Sequence, residues 1–146
     1  MQAPLVIRIL ALASSSPLIP PGICDPGAQL AASCAAHGVP LHPIPGASAV
    51  TAALSVSGFN GSAFTFFGFL PFRGSEKQKL VDLILTTNHI VVFFEAPHRV
   101  LDTFNMLVAS GQGDRSCLCA REITKIHEEF KRGSVRECNE FRSIMY

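Results

Sequence analysis

The chain has 146 residues, 48% of them hydrophobic and 16% charged, enough apolar material for one ordinary domain or two very small ones and too much for a disordered segment. Twelve Lys and Arg against eleven Asp and Glu leave a net charge of +1, which argues against a protein that holds duplex nucleic acid through a broad basic footprint. The charge is also unevenly placed, since residues 9–72 contain one charged side chain, Asp25.

The start, MQAPLVIRILALASSSPLIPP, has Arg8, three serines and no acid. It reads either as a targeting segment or as a first β-strand followed by a loop. No apolar run reaches the roughly 18 residues of a membrane span. Asp25-Pro26 is a helix opening, with a capping acid before a proline at the first helical position. The alanine-rich run 27–37 continues that helix and Gly38 closes it. VPLHPI is expected to be a short strand over 41–44, leading into a small-residue helix from PGASA to Gly58. AFTFFGFL reads as a buried strand. Ser75 starts the next helix, with Gln78 completing a capping box and Leu80, Leu83 and Ile84 as its apolar stripe. HIVVFF, 89–94, is almost continuously apolar and is expected to be a central parallel strand. Val100, Leu101, Phe104, Leu107 and Val108 recur at helical spacing after it, and SCLCA is another strand.

Strands alternating with helices of this length predict an α/β fold with a parallel sheet. The five cysteines, Cys24, Cys34, Cys117, Cys119 and Cys138, are odd in number and lack a CxxC pair. They read as reduced structural thiols, with no zinc or other metal site, and point to a reducing compartment.

In open parallel sheets ligands bind beyond the carboxyl ends of the strands. Three segments are expected there: PGASA, EAPHR and REITK. In the first, backbone amides at a helix start beside small residues favour an anionic ligand; the alternative is a tightly packed strand-to-helix connection. Gly46-Ala47-Ser48-Ala49 also has a loose likeness to a nucleophile elbow, with Ser48 as nucleophile, His98 or His127 as base and an acid from Asp82, Asp102 or Asp114, although Val50 replaces its second glycine. FFEAPHR sets Glu95, His98 and Arg99 just past a buried strand, where charges must be paired or solvated; they could equally be the polar first turn of a helix. AREITKIHEEFKRG offers cations for phosphates and acids for hydroxyls. It could also be a solvated helix with pairs such as Glu128 and Arg132.

Taken in order, PGICDPG, PIPGASAVTAALSVSG, FFGFLP, FFEAPHRVLDT and AREITKIHEEFKRG resemble the signature blocks of the ribosomal RNA small subunit methyltransferase I family, within the tetrapyrrole-methylase-like class III methyltransferases. The likeness runs from about Pro21 to Val135. It implies two α/β domains with S-adenosylmethionine between them, a homodimer, and methylation of a cytidine 2′-hydroxyl in small-subunit ribosomal RNA, with no membrane involved. The compartment implied is a bacterial cytoplasm, or a mitochondrion or plastid with bacterial-type ribosomes. Residues 1–61 are then expected to be a partial N-terminal domain and 62–146 a C-terminal domain cut short at its end. The resemblance puts Pro45, Gly46, Ala47, Ser48, Ala49, Phe94, Ala120 and Arg121 against the cofactor. It makes Glu95, Glu122 and His127 candidate acceptors of the hydroxyl proton, and Arg99, Lys125 and Arg132 candidate phosphate holders. Where the family carries a Ser-Asp-Ala-Gly-Thr-Pro stretch this chain has SPLIPP, with Pro17 in place of the Asp. The departure predicts either a truncated enzyme or a non-catalytic remnant that binds RNA or a full-length subunit.

Overall fold

A computed structural model describes the backbone of Ile9–Ala13, residue Ile23, and residues 27–140. Asp25-Pro26, SPLIPP and the final residues 141–146 lie outside the described residues. Among those described, five strands form one sheet in the order β2-β3-β1-β4-β5. They are β1 (Ile9–Ala13), β2 (Phe64–Phe69), β3 (Ile90–Glu95), β4 (Ser116–Arg121) and β5 (Glu129–Ser134). The first four run parallel, and β5 returns antiparallel to β4. The helices are α1 (Gly27–Ala36), α2 (Ala49–Val56), α3 (Ser75–Thr86), α4 (Val100–Leu107) and α5 (Val135–Asn139).

β3 is an interior strand and every one of its six residues is buried, as its continuous apolar run requires when both faces are covered. Its side chains alternate between two cores. Val91 and Phe93 join Cys117 and Cys119 of β4 beneath α3, α4 and α5, which contribute Val81, Ile84, Val100, Phe104, Leu107, Val135 and Cys138. Ile90, Val92 and Phe94 join Leu118 and Ala120 on the other face, beneath Ala49, Val50 and Ala53 of α2. The small residues of α2 thus let a helix lie close against the sheet. The two β4 cysteines share a face, as their spacing predicts, and burial pushes the Cys119 thiol up to about 12.

Strand pairing crosses the position near residue 61 where two domains were expected to divide. Ile9–Ala13 pairs with both β3 and β4, and α2 packs on that same sheet. α1 forms where the alanine-rich run predicts it but buries none of its residues.

Four local expectations need correction. Residues 39–48 form no strand, and Val39, Leu41 and Ile44 are exposed, because two further prolines, Pro40 and Pro43, cannot donate to a ladder. The capping box expected at Ser75 is absent: Gly74 is the cap residue, at φ 87° and ψ −169°, and the Gln78 amide donates instead to Asp82 Oδ1 at 2.8 Å. That backbone region belongs to glycine. Leu83 faces out of α3 while Val81, adjacent to the expected stripe, is fully buried. Finally, the alternative of a solvated helix over AREITKIHEEFKRG does not form. The segment belongs to a β-hairpin, β4 and β5 joined by residues 122–128, and Glu128 and Arg132 are separated by its geometry rather than stacked.

Candidate functional site

Parallel register sets the carboxyl edge of the sheet. Ala13 lies opposite Glu95 on one side and opposite Arg121 on the other. Glu129, which opens β5, pairs directly with Arg121. The edge therefore gathers the ends of β1, β2, β3 and β4, the 70–74 loop, the Pro97–Arg99 turn and the 122–128 loop. EAPHR and REITK do meet there, as expected.

Glu95 is fully buried, on the α3 and α4 face of the sheet. Its carboxylate takes a hydrogen bond from Thr103 Oγ1 at 2.7 Å and one from the Ala96 amide at 2.9 Å. It is also paired with Arg99, with Lys77 Nζ 3.8 Å away. The Arg99 guanidinium donates in addition to the Leu70 carbonyl at 3.2 Å. A buried charge demands such partners. The cluster joins β2, α3, β3 and α4 at one point, and it occupies both Glu95 oxygens inside the protein. Glu95 could accept a substrate proton only after breaking these contacts. Arg99, whose side chain is mostly buried, is likewise held by the protein and is not a free phosphate holder.

The other face carries the small-residue segment. Ser48 is the cap residue of α2, in an extended conformation, with no side-chain cap bond. Pro45, Gly46 and Ala47 before it are exposed, and a Cβ on Gly46 would meet only Ile44 O, at 3.9 Å. Ala49 shares a core with Phe94 and Ala120, both buried. Phe94 stands 4.9 Å from the Phe66 ring and 5.2 Å from the Phe69 ring, centroid to centroid. Phe94 and Ala120 back this wall from within the core instead of lining its surface, because α2 lies over them.

No nucleophile elbow is built around Ser48. A strand must lead into the nucleophile, and none does here. Asp82 is bonded to Gln78, Asp102 is exposed, and Asp114 lies 3.7 Å from Arg136 on α5. Among the described residues no histidine hydrogen-bonds to Ser48.

In the hairpin, Arg121 Nε is 2.8 Å from Glu129 Oε2, and Lys125 Nζ is 3.0 Å from Glu122 Oε2. The loop is tight. Glu122 and Thr124 have φ of 49° and 67°, and the Thr124 amide donates to Glu128 Oε2 at 2.6 Å. His127 and Ile126 are exposed at its tip. Arg132 does not face this edge: its Nε donates to the Val56 carbonyl at 3.2 Å, closing the C-terminus of α2. Cations suit that position because the last carbonyls of a helix lack partners. Arg115 does the same for α3, donating to the Leu85 carbonyl at 2.8 Å. Sequence spacing gives no sign of either role, since the partners lie 76 and 30 residues away.

Lys77, Thr103, Phe72 and Arg73 were not singled out by sequence, and all four stand at or over this edge. Lys77 and Thr103 sit in the first turns of α3 and α4. A shallow cavity of about 300 Å³, lined by Asn60, Ser62, Asn88, His89 and Ile90, lies at the opposite, amino edge of β2 and β3. No cluster of His, Cys, Asp and Glu among the described residues could hold a metal ion.

A sequence profile of the tetrapyrrole (corrin/porphyrin) methylases matches residues 20–139. The ribosomal RNA small subunit methyltransferase I of Thermotoga maritima is 45% identical over 117 residues, covering 80% of this chain and 52% of that protein. The protein of the same name from Synechocystis is 40% identical, covering 80% of this chain and 42% of its own length. That from Halalkalibacterium halodurans is 37% identical over 130 residues, covering 89% and 44%. The chain spans about half the length of the curated relatives it matches.

Proposed function

The chain belongs to the tetrapyrrole (corrin/porphyrin) methylase family, and from that premise we propose that it serves S-adenosylmethionine-dependent methylation of small-subunit ribosomal RNA, at a cytidine 2′-hydroxyl. One observation carries the reading. The uncapped start of α2, with Pro45, Gly46 and Ala47 exposed before it, shares a core with the carboxyl-terminal residues of β3 and β4. Open first-turn amides beside small side chains fit the carboxylate of an amino-acid-bearing cofactor. Ser48 and Ala49 would hold it, with Phe94 and Ala120 behind them. When bound, S-adenosylmethionine supplies a methyl group on a positively charged sulfur.

The chain's own work is positioning and proton transfer. Glu122 and His127 share the 122–128 loop, and they are the acceptors this reading retains. Glu95 drops out of that role and becomes the anchor of the edge. Arg121, at the end of β4, and Lys125, on the loop that follows, hold phosphates while balancing Glu129 and Glu122. On this reading residues 1–61 correspond in sequence to the tail of the first of two α/β domains, although Ile9–Ala13 pairs here within the sheet of the later residues. Two copies pair, and the setting is a bacterial cytoplasm or an organelle with bacterial-type ribosomes.

The test is calorimetric titration of the 146-residue chain with S-adenosylmethionine, followed by transfer of a labelled methyl group to small ribosomal subunits. Micromolar binding, about −8 kcal/mol, and label resistant to alkaline cleavage at a cytidine are expected. His127→Ala and Glu122→Gln should then lower transfer by about 10²–10⁴-fold for whichever is the acceptor, with cofactor affinity kept. A folded chain that gives no heat with S-adenosylmethionine sinks the reading. A second reading is binding of RNA or a longer subunit without transfer. The exposed apolar side chains Ile23, Leu30, Val39, Leu41 and Ile44 favour it, and RNA or subunit binding without cofactor heat would establish it.

A further inference from the structure

Phe72 stands where a phenylalanine is costly to leave. It is 63% exposed, on the loop that leaves β2 at the carboxyl edge. Two guanidinium groups attend the ring, Arg73 at 5.5 Å and Arg99 at 5.7 Å from its centroid. The loop is not slack. Leu70 before it is buried, its amide donates to the Phe94 carbonyl at 3.3 Å, and its carbonyl accepts from Arg99. Gly74 after it turns the chain into α3 through a backbone region closed to other residues. Glu95 in turn fixes Arg99. A buried ion cluster therefore holds one cation against an exposed ring, while Arg73 is exposed and has no carboxylate partner among the described residues. Phe69, also exposed, adds a second ring at the end of the same strand.

We propose that Phe72 and Arg73 form a landing platform for single-stranded RNA at the carboxyl edge, Phe72 stacking an unpaired base and Arg73 taking the adjoining phosphate. A ring face accepts any base, and a guanidinium beside it supplies the charge that the polyanion needs. Duplex RNA presents its bases already stacked and would not use the ring. Lack of a large net charge fits a contact of this kind, in which one stacked base and few phosphates suffice. The inference rests on the ribosomal RNA reading and extends it to two residues that reading did not include.

The experiment measures binding of a fluorescent 12-nucleotide RNA, single-stranded and then annealed to its complement, over a salt series. The unaltered chain, Phe72→Ala and Arg73→Ala are compared, each confirmed as folded by circular dichroism. Neither side chain belongs to the core, so both variants should fold. The chain should prefer the single strand. Phe72→Ala should weaken that binding by about 5- to 150-fold with the salt dependence unchanged. Arg73→Ala should reduce the slope of log K against log salt by about 0.7. Photocrosslinking of a 4-thiouridine RNA should map to the peptide containing Phe72.

Equal binding by all three chains, equal affinity for duplex, or a crosslink elsewhere would overturn the platform and leave the methylation reading standing on its own titration. Sedimentation run alongside separates a further case: a shift in oligomeric state on Phe72→Ala, with RNA binding unchanged, assigns the ring to contact between copies and refutes the proposal. S-adenosylmethionine titration of the unaltered chain tests the methylation reading separately, and the variants should bind the cofactor as the unaltered chain does. Loss of cofactor binding confined to Phe72→Ala or Arg73→Ala would place these side chains at the cofactor and refute the platform.

Discussion

Glu95 shows how a polar residue just past a buried strand is decided by its neighbours. Its sequence context offered three roles: proton acceptor, helix-start acid and ion-pair member. With Arg99, Lys77, Thr103 and the Ala96 amide around it, the third is what the fold builds. Such clusters cost heavily when one partner is removed, because the remaining charges stay buried. Glu95→Gln should therefore lower the unfolding free energy by about 3–5 kcal/mol, measured by urea denaturation. Loss of methyl transfer in that variant without loss of stability would restore Glu95 as the acceptor. The signal for Lys77 was present but muted: it is a lysine in the first turn of a helix, where cations oppose the dipole, so its burial had to be met by an acid. Arg132 is the converse, a residue whose charge suggested RNA and whose partner is a helix end.

Among the elements, those with strong patterning form where expected: β2, β3, β4, and the helices after 27, 48, 75 and 99. β2, however, is an edge strand with Phe64 and Phe69 exposed rather than the buried strand its aromatics suggest. The hairpin 116–134 is the element that patterning missed. Its second strand, EFKRGS, is too charged to read as strand and has no turn dipeptide before it; it exists because β4 offers an unpaired edge. The capping box was also misplaced. It lies at the start of α5, where Ser134 accepts from the Glu137 amide at 3.1 Å and the Glu137 carboxylate accepts from the Ser134 amide at 2.6 Å. Donation from the Ser134 amide and hydroxyl holds the Glu137 carboxyl below its ordinary value. A depressed folded-state value means that this carboxylate stabilises the fold above the ordinary carboxylate range, and that its contribution fades as pH falls through the lowered value. Ser134→Ala should cost about 1 kcal/mol at neutral pH. The difference from the unaltered chain should narrow in strong acid, as followed by thermal melts at several pH values. An unchanged difference at low pH would mean that the carboxylate plays no part in the cap.

Taken together, the described residues form one sheet with helices on both faces and a carboxyl edge where charge collects. Stability is unevenly spread over it. β3 is buried throughout and paired on both sides, whereas α1 buries nothing and is ten residues long, short for a helix without packing. Hydrogen exchange should accordingly be slowest over 90–95 and 116–121 and fastest over 27–36; equal protection of α1 would mean that something covers it. Alternating apolar runs and helical spacings were enough to reach the α/β class, and the order of the signature blocks was enough to reach the family. Those signals are local, carried by side chains a few positions apart. Which strand neighbours which, that Ile9–Ala13 enters between β3 and β4, and which charges are spent inside the protein depend on contacts between residues far apart in the chain. Pairing of that kind is set by the arrangement that buries both faces of β3 and gives the buried Glu95 its partners, and no single stretch of sequence encodes it.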